Sequence, residues 1–152
     1  MAVKTPCVGL CSTTYGDLVC RGCKRFSHEI VNWNRYGDEE KRAVWARLVA
    51  LRDQVVLSLL SVEDEALLEA QRQKHRIPDD TGGTPASRAY GLLRRGARHI
   101  RSLGAYGLAP AAEAEAEAWS AAELRDEIDR RFLALSEAHY ERYLLGEGRI
   151  YG

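Results

Sequence analysis

Four cysteines, spaced Cys7-x3-Cys11-x8-Cys20-x2-Cys23, carry the clearest chemical signal in the sequence. Within each pair the separation lets one tight turn deliver two sulfurs to a single ion, and the stretch between the pairs can fold the second turn back onto the first. No further cysteine follows Cys23, and the opening residues lack the apolar core of a secretory leader, so the expected compartment is the cytoplasm. Reducing conditions there disfavour structural disulfides and favour thiolates that hold a metal. Gly9, Gly16 and Gly22 suit tight loops around an ion, because glycine tolerates positive φ and lets backbone N–H groups approach sulfur.

Four thiolates around a divalent ion leave a net negative charge. Arg21, Lys24 and Arg25 beside the second pair offset it, and His28 is close enough in sequence to reach the surroundings of the site. The competing readings are four unrelated thiols or a regulatory Cys20–Cys23 dithiol. A thioredoxin-like dithiol requires a βαβ setting, and no such pattern is visible. Tetrahedral zinc accepts four thiolates on short turns and would order a segment too small to have its own core. An iron-sulphur cluster accepts the same ligands, but the spacing matches neither the bacterial ferredoxin run nor the plant-type one. Spacing alone therefore points toward zinc.

A second group of residues invites a different chemistry. Arg88, Arg94, Arg95, Arg98 and Arg101 lie in a stretch without an acid and, at helical spacing, cover the arc opposite Leu93 and Ile100. Such a face could meet phosphates of a nucleic acid, with Arg21, Lys24, Arg25 and Arg35 adding charge near the cysteines. The plainer reading is a solvated face that pairs with the acidic region from Glu113 to Asp129. Lys plus Arg equals Asp plus Glu, 22 against 22, so no global field draws the chain to nucleic acid or an anionic membrane, and the plainer reading is preferred. His139, on the apolar stripe of the last helix, reads as a core histidine rather than a ligand. The sequence carries no P-loop, G-x-S-x-G or H-E-x-x-H motif and no paired carboxylates to nominate, which argues against an enzyme.

The elements that must position these groups are helical. The cysteine segment lacks periodicity and reads as loops and turns, followed by a short helix from about Ser27, as cap, to Trp33. Asp38 caps a long helix to about Leu60, with Glu39 and Glu40 at the positive end of its dipole and Val44, Leu48, Leu51, Val55 and Leu59 on its inner face. Trp33 and Trp45 read as anchors that seat the cysteine loop on this helix. Ser61 is expected to cap a third helix that Pro78 stops, and residues 77–84 read as a linker. Thr84 and Pro85 open a fourth helix to about Leu103, lined by Ala86, Tyr90, Leu93, Ala97 and Ile100. Residues 111–118 consist of strong helix formers, and the Ser120/Glu123 capping box starts a last helix with Leu124, Ile128, Phe132, Leu135, His139 and Tyr143 inside, ending near Gly146. No stretch reads as a strand. At 45% apolar and 29% charged the chain has the balance of a soluble globular protein, and no apolar run is long enough to span a bilayer.

The expected architecture is all-α: a four-cysteine metal knuckle packed on a long helix in residues 1–52, then a small antiparallel helical assembly of unknown role in residues 53–152. Residues 6 to about 52 resemble a small bacterial family, domain of unknown function 1289, whose members are commonly labelled predicted iron-sulphur proteins. The matching residues are Pro6-Cys7-Val8-Gly9-Leu10-Cys11, Cys20-Arg21-Gly22-Cys23 with Arg25, Glu29-Ile30 and Trp33, then Asp38-Glu39-Glu40-Lys41-Arg42, Val44-Trp45 and Arg47-Leu48. Phe26 departs from the pattern, where the family often has a capping Thr or Ser. The resemblance implies that the four cysteines are the family's metal ligands, and its label sets an iron-sulphur cluster level with zinc. The functional expectation is a metal-binding protein with a mainly structural site and a helical surface for a protein partner. A nucleic-acid-binding zinc knuckle and an iron-sulphur redox or cluster-transfer protein are the alternatives.

Overall fold

Helix-favouring periodicity dominates the chain, and helices account for most of the computed structural model, which describes residues 3–78 and 83–151, with side chains through Tyr143. The expected linker's residues 79–82 lie outside the described residues. Helices α1 (Ser27–Asn32) and α2 (Asp38–Leu59) follow the cysteine segment, separated by a 3-10 turn at Trp33–Arg35. Strand β1 (Leu60–Val62), α3 (Glu65–Lys74), α4 (Pro85–Gly96), β2 (Leu108–Pro110), α5 (Ala112–Glu117) and α6 (Ala121–Tyr151) complete the order. Among the described residues, no helix is long and apolar enough to cross a membrane.

The chain divides into two compact units, residues 1–51 with 131–152, and residues 52–130. In the first, Trp33, Val44, Leu48, Leu51 and Phe132 form a buried cluster, with Tyr36, Trp45 and Leu135 packed against it. Three- and four-residue spacing brings the α2 side chains onto one face, and Phe132 and Leu135 come from α6 on the same principle. In the second unit Val55, Val56, Leu59, Leu68, Leu92, Leu93, Leu124 and Ile128 are buried. Most of the inner stripes read from the sequence are thus buried, although Tyr143, expected inside, is exposed.

The two strands correct the all-helical expectation. β1 and β2 pair antiparallel in the register Leu60↔Pro110, Ser61↔Ala109 and Val62↔Leu108. Segments of three residues are too short for alternation to announce them, and their partners lie far apart in sequence. Gly107 makes the pairing possible: φ is 75°, and a Cβ there would lie 2.3 Å from the carbonyl oxygen of Asp64. That close approach lets the Gly107 carbonyl accept from the N–H groups of Glu63 and Asp64, at 2.8 and 3.1 Å.

The strand also moves a helix start. Ser61 is taken into β1, so Asp64 caps α3 instead, its carboxylate accepting the Leu67 N–H at 3.0 Å. Phe26, not Ser27, precedes α1: its backbone is extended and its carbonyl accepts the Glu29 and Ile30 N–H groups at 3.0 and 3.2 Å, which makes Ser27 the first helical residue. Thr84 and Pro85 open α4 as expected, with the Thr84 hydroxyl accepting from the Ser87 N–H, but α4 ends at Gly96 and a 3-10 turn at Ala97–His99 replaces its expected continuation. The Ser120/Glu123 box is formed reciprocally at 3.2 and 3.1 Å, and α6 runs past Gly146 to Tyr151.

Candidate metal centre

The second cysteine pair sits in a short hairpin. Val19 and Phe26 form an antiparallel bridge, Cys20 N–H donates to the Arg25 carbonyl at 2.9 Å, and Lys24 N–H donates to the Cys20 carbonyl at 2.8 Å to close the turn. Lys24 occupies the left-handed region, with φ of 65°, at a cost of about 1–2 kcal/mol for a residue with a Cβ. Its side chain is nevertheless fixed: Lys24 is 1% exposed, its Nζ donates to the Gly22 carbonyl at 3.0 Å, and it lies 5.3 Å from the Phe132 ring centroid. Burial of the stem and the cation over an aromatic face offset part of that cost.

The first pair lies on a looser loop. Gly9 adopts φ of 92° and donates its N–H to the Cys7 sulfur at 3.4 Å, while the Cys11 sulfur and the Thr13 hydroxyl are 3.1 Å apart. A 3-10 turn at Ser12–Tyr15 then leads to Gly16. Gly22 joins the two loops. A Cβ on it would stand 2.4 Å from the Leu10 carbonyl oxygen and 2.9 Å from Val8 Cγ2, so only a glycine allows the second turn to rest on the first. The Cys20 thiol donates to that same Leu10 carbonyl at 3.3 Å, and buried Ser12 accepts the Arg21 N–H at 2.8 Å.

The surroundings favour thiolate at two of the sulfurs. Burial pushes the Cys20 thiol up, but the backbone N–H groups of Cys23, Ser12 and Gly22 outweigh it and bring the pKa down to about 7. Cys11 is lowered by the hydroxyls of Thr13 and Thr14. Burial raises Cys23, and Arg25 opposes that rise through an Nε–H bond to its sulfur at 3.2 Å.

The sequence-derived residues divide accordingly. Cys20 and Cys23 are buried, Cys11 is half-buried, Cys7 is exposed, and all four are free thiols. Cys11 and Cys23 lie within electrostatic or hydrogen-bonding reach of Cys20. Among the described residues, no three or more Cys, His, Asp or Glu side chains stand together in a metal-ligating arrangement. The chemistry of the donor set does fit a thiophilic ion: N–H and hydroxyl donors surround the sulfurs, the two loops touch through Gly22, and buried cations stand beside the second pair. Arg25 touches Cys23 and stacks over Trp33 at 4.9 Å, while Lys24 braces the turn. Arg21 is exposed and paired with Asp17 at 3.2 Å. His28 faces aromatic rings, stacked on Tyr143 at 5.4 Å and tilted against Phe26 at 5.9 Å.

Residues 5–52 match the family model described as "Protein of unknown function (DUF1289)". No curated protein and no solved structure matches the chain. The DUF1289 segment contains all four cysteines, α1 and most of α2. It also contains a half-buried ion pair whose role sequence reasoning missed. Glu29 receives Arg47 in a bidentate pair at 2.5 and 2.6 Å and accepts the Phe26 N–H at 2.8 Å, while Arg47 lies over the Phe26 ring at 3.9 Å. The pair ties the end of the cysteine hairpin to α2. Trp45 adds a second tie, donating its indole N–H to the Lys4 carbonyl at 2.8 Å. The visible signal was Glu29 three residues after Phe26, the spacing of a capping carboxylate.

In the other unit, Arg94, Arg95, Arg98 and Arg101 are exposed on or just after α4, whereas Arg88 is half-buried and pairs with Glu69 at 3.7 Å. Arg88 is thus committed to a carboxylate within the unit. His139 is half-buried.

Proposed function

We propose that the DUF1289 segment is a metal-binding module in which Cys7, Cys11, Cys20 and Cys23 ligate one centre, either zinc or an iron-sulphur cluster, whose work is mainly structural. The observation that carries this reading is Gly22: a side chain there would collide with Leu10, so the backbone holds the two cysteine-bearing loops in contact. Bound to these sulfurs, the centre would cross-link the two loops. The chain's own contribution is to supply N–H donors to the thiolates, to offset their charge with Arg25 and Lys24, and to hold the hairpin on α2 through Glu29–Arg47.

A protein partner accompanies this reading. Large apolar side chains are exposed at Val8, Leu10, Tyr15 and Leu18, all within or beside the cysteine loops, and we assign the contact to this surface rather than to the helical extension alone.

Purification without air, followed by elemental analysis and an absorption spectrum, tests the reading and separates the two centres. One zinc per chain in a colourless protein, or iron with sulphide and visible absorption, is the expected result. Cys20→Ser and Gly22→Val should each lower bound metal and the protease resistance of residues 5–35 together. A wild-type protein that neither carries nor takes up zinc or a reconstituted cluster would refute the proposal, as would a Cys20→Ser variant with undiminished metal.

A further inference from the structure

A cavity of about 190 Å³ lies in the second unit, between the ends of α3 and α4 and the 3-10 turn at Leu103–Tyr106. Its floor is apolar, made by the buried side chains of Ile77, Leu92 and Ile100. Its other walls carry His75, Arg76, Arg95 and His99, with no carboxylate among the described residues that line it. Tyr106 completes the wall, its ring tilted against His75 at 6.0 Å.

Basic side chains at helix C-termini are what the helix dipole favours by itself, and that accounts for their presence near these ends. It does not account for their convergence, with two imidazoles and a phenol, on one cavity with an apolar floor. Arg76 adds a second reason. It follows the last turn of α3 with φ of 54°, and the Ile77 N–H returns to the Arg72 carbonyl at 3.0 Å. Glycine is the ordinary occupant of such a position, and an arginine there accepts backbone strain while placing a guanidinium on the cavity wall.

We propose that this cavity binds a small organic phosphate, its phosphoryl group held by the guanidiniums and imidazoles and its carbon portion resting on Ile77, Leu92 and Ile100. Guanidinium offers paired donors to phosphate oxygens, and imidazole has an N–H donor in either charge state. The volume falls below the roughly 300–1,000 Å³ of pockets for drug-sized ligands, which limits the carbon portion to a ring or a few atoms. No cysteine takes part, so the proposal stands or falls independently of the metal centre.

The test uses the full chain and titrates phenyl phosphate, inorganic phosphate and sodium chloride at matched ionic strength, followed by calorimetry and amide NMR shifts. Saturable binding of phenyl phosphate, tighter than that of inorganic phosphate, is expected, with shifts around Ile77, Gly96 and Ile100. Arg95→Gln should weaken it at least tenfold, whereas Arg98→Gln, outside the cavity lining, should leave it unchanged. Arg76→Gly gives the sharper discrimination: it should raise the melting temperature by relieving the left-handed arginine and still weaken phenyl phosphate at least tenfold. A more stable Arg76→Gly variant with unaltered binding would overturn the proposal. So would a phenyl phosphate response no larger than that of chloride, or equal affinity for inorganic phosphate. Binding of a single-stranded oligonucleotide without binding of phenyl phosphate would also overturn it and return the arginines to a nucleic-acid role.

Discussion

Removing the cation of the Glu29–Arg47 pair should expose how much of the cysteine hairpin's order depends on α2. In Arg47→Met the carboxylate of Glu29 keeps the Phe26 N–H and loses both guanidinium bonds. Breaking a fully buried pair by deleting one partner costs about 3–5 kcal/mol, because the remaining charge is left in a poor solvent. Glu29's side chain is 7% exposed but that of Arg47 is 23% exposed, so water reaches one end of the pair and the expected cost falls to about 2–3 kcal/mol. Loss of the cation over Phe26 adds about 0.5–1 kcal/mol. Glu29→Gln keeps an oxygen for the Phe26 N–H and removes the charge, so the double variant Glu29→Gln/Arg47→Met should be more stable than Arg47→Met. Urea unfolding of the four proteins of this cycle measures the coupling, expected at about 1–2 kcal/mol in favour of the native pair. An Arg47→Met variant within about 0.5 kcal/mol of wild type would match an ordinary surface substitution and refute the reasoning.

Three further outcomes follow from single positions. Gly107→Ala drives a Cβ against the Asp64 backbone at positive φ and should cost about 2 kcal/mol or more in thermal or urea unfolding, whereas Gly83→Ala, with φ of 74° and open space around it, should cost about 1 kcal/mol. Ala118 ends α5 with φ of 54°, so Ala118→Gly should stabilise by roughly 0.5–1 kcal/mol, and a destabilised variant would contradict the assigned backbone. Glu69 is held down to about 2, first by its hydrogen bond from Arg72, from a reference of 4.5. A depressed carboxylate contributes stability that is present above its unfolded pKa and lost as pH falls through the folded one. The difference between wild type and Glu69→Gln should therefore narrow between about pH 5 and pH 2, and more weakly at high salt, in pH-dependent urea melts.

The parts of the fold legible in the sequence are those with local causes. The Thr84–Pro85 opening of α4 and the Ser120/Glu123 box are contacts between residues three or four apart, and each is formed where its pattern indicated. At α2 the cap lies one residue earlier than the expected Asp38: the Gly37 carbonyl accepts the Lys41 N–H at 3.1 Å and the Gly37 N–H donates to the Glu40 carboxylate at 3.1 Å, so Asp38 is the first helical residue. The β1–β2 pair was illegible because its register links Leu60 with Pro110, and nothing in either three-residue segment specifies the other. Ser27 is not the cap, because the first helical bonds run to the Phe26 carbonyl and the Glu29 carboxylate accepts the Phe26 N–H, so a residue without a capping side chain holds that position.

At the candidate site the thiols, their spacing and the nearby basic charge are fixed by covalent order alone. Folding selects which of them matter to one another. It buries Cys20 and Cys23 while leaving Cys7 exposed, sets Arg25 on Cys23, turns His28 toward aromatic rings, and makes Gly22 a point of contact with Leu10. It also brings Glu29 to Arg47, and returns Phe132, from the far end of the chain, to the cluster beneath the cysteine hairpin. These are consequences of burial and of hydrogen bonds between distant segments, and a linear pattern records only the residue types that take part in them.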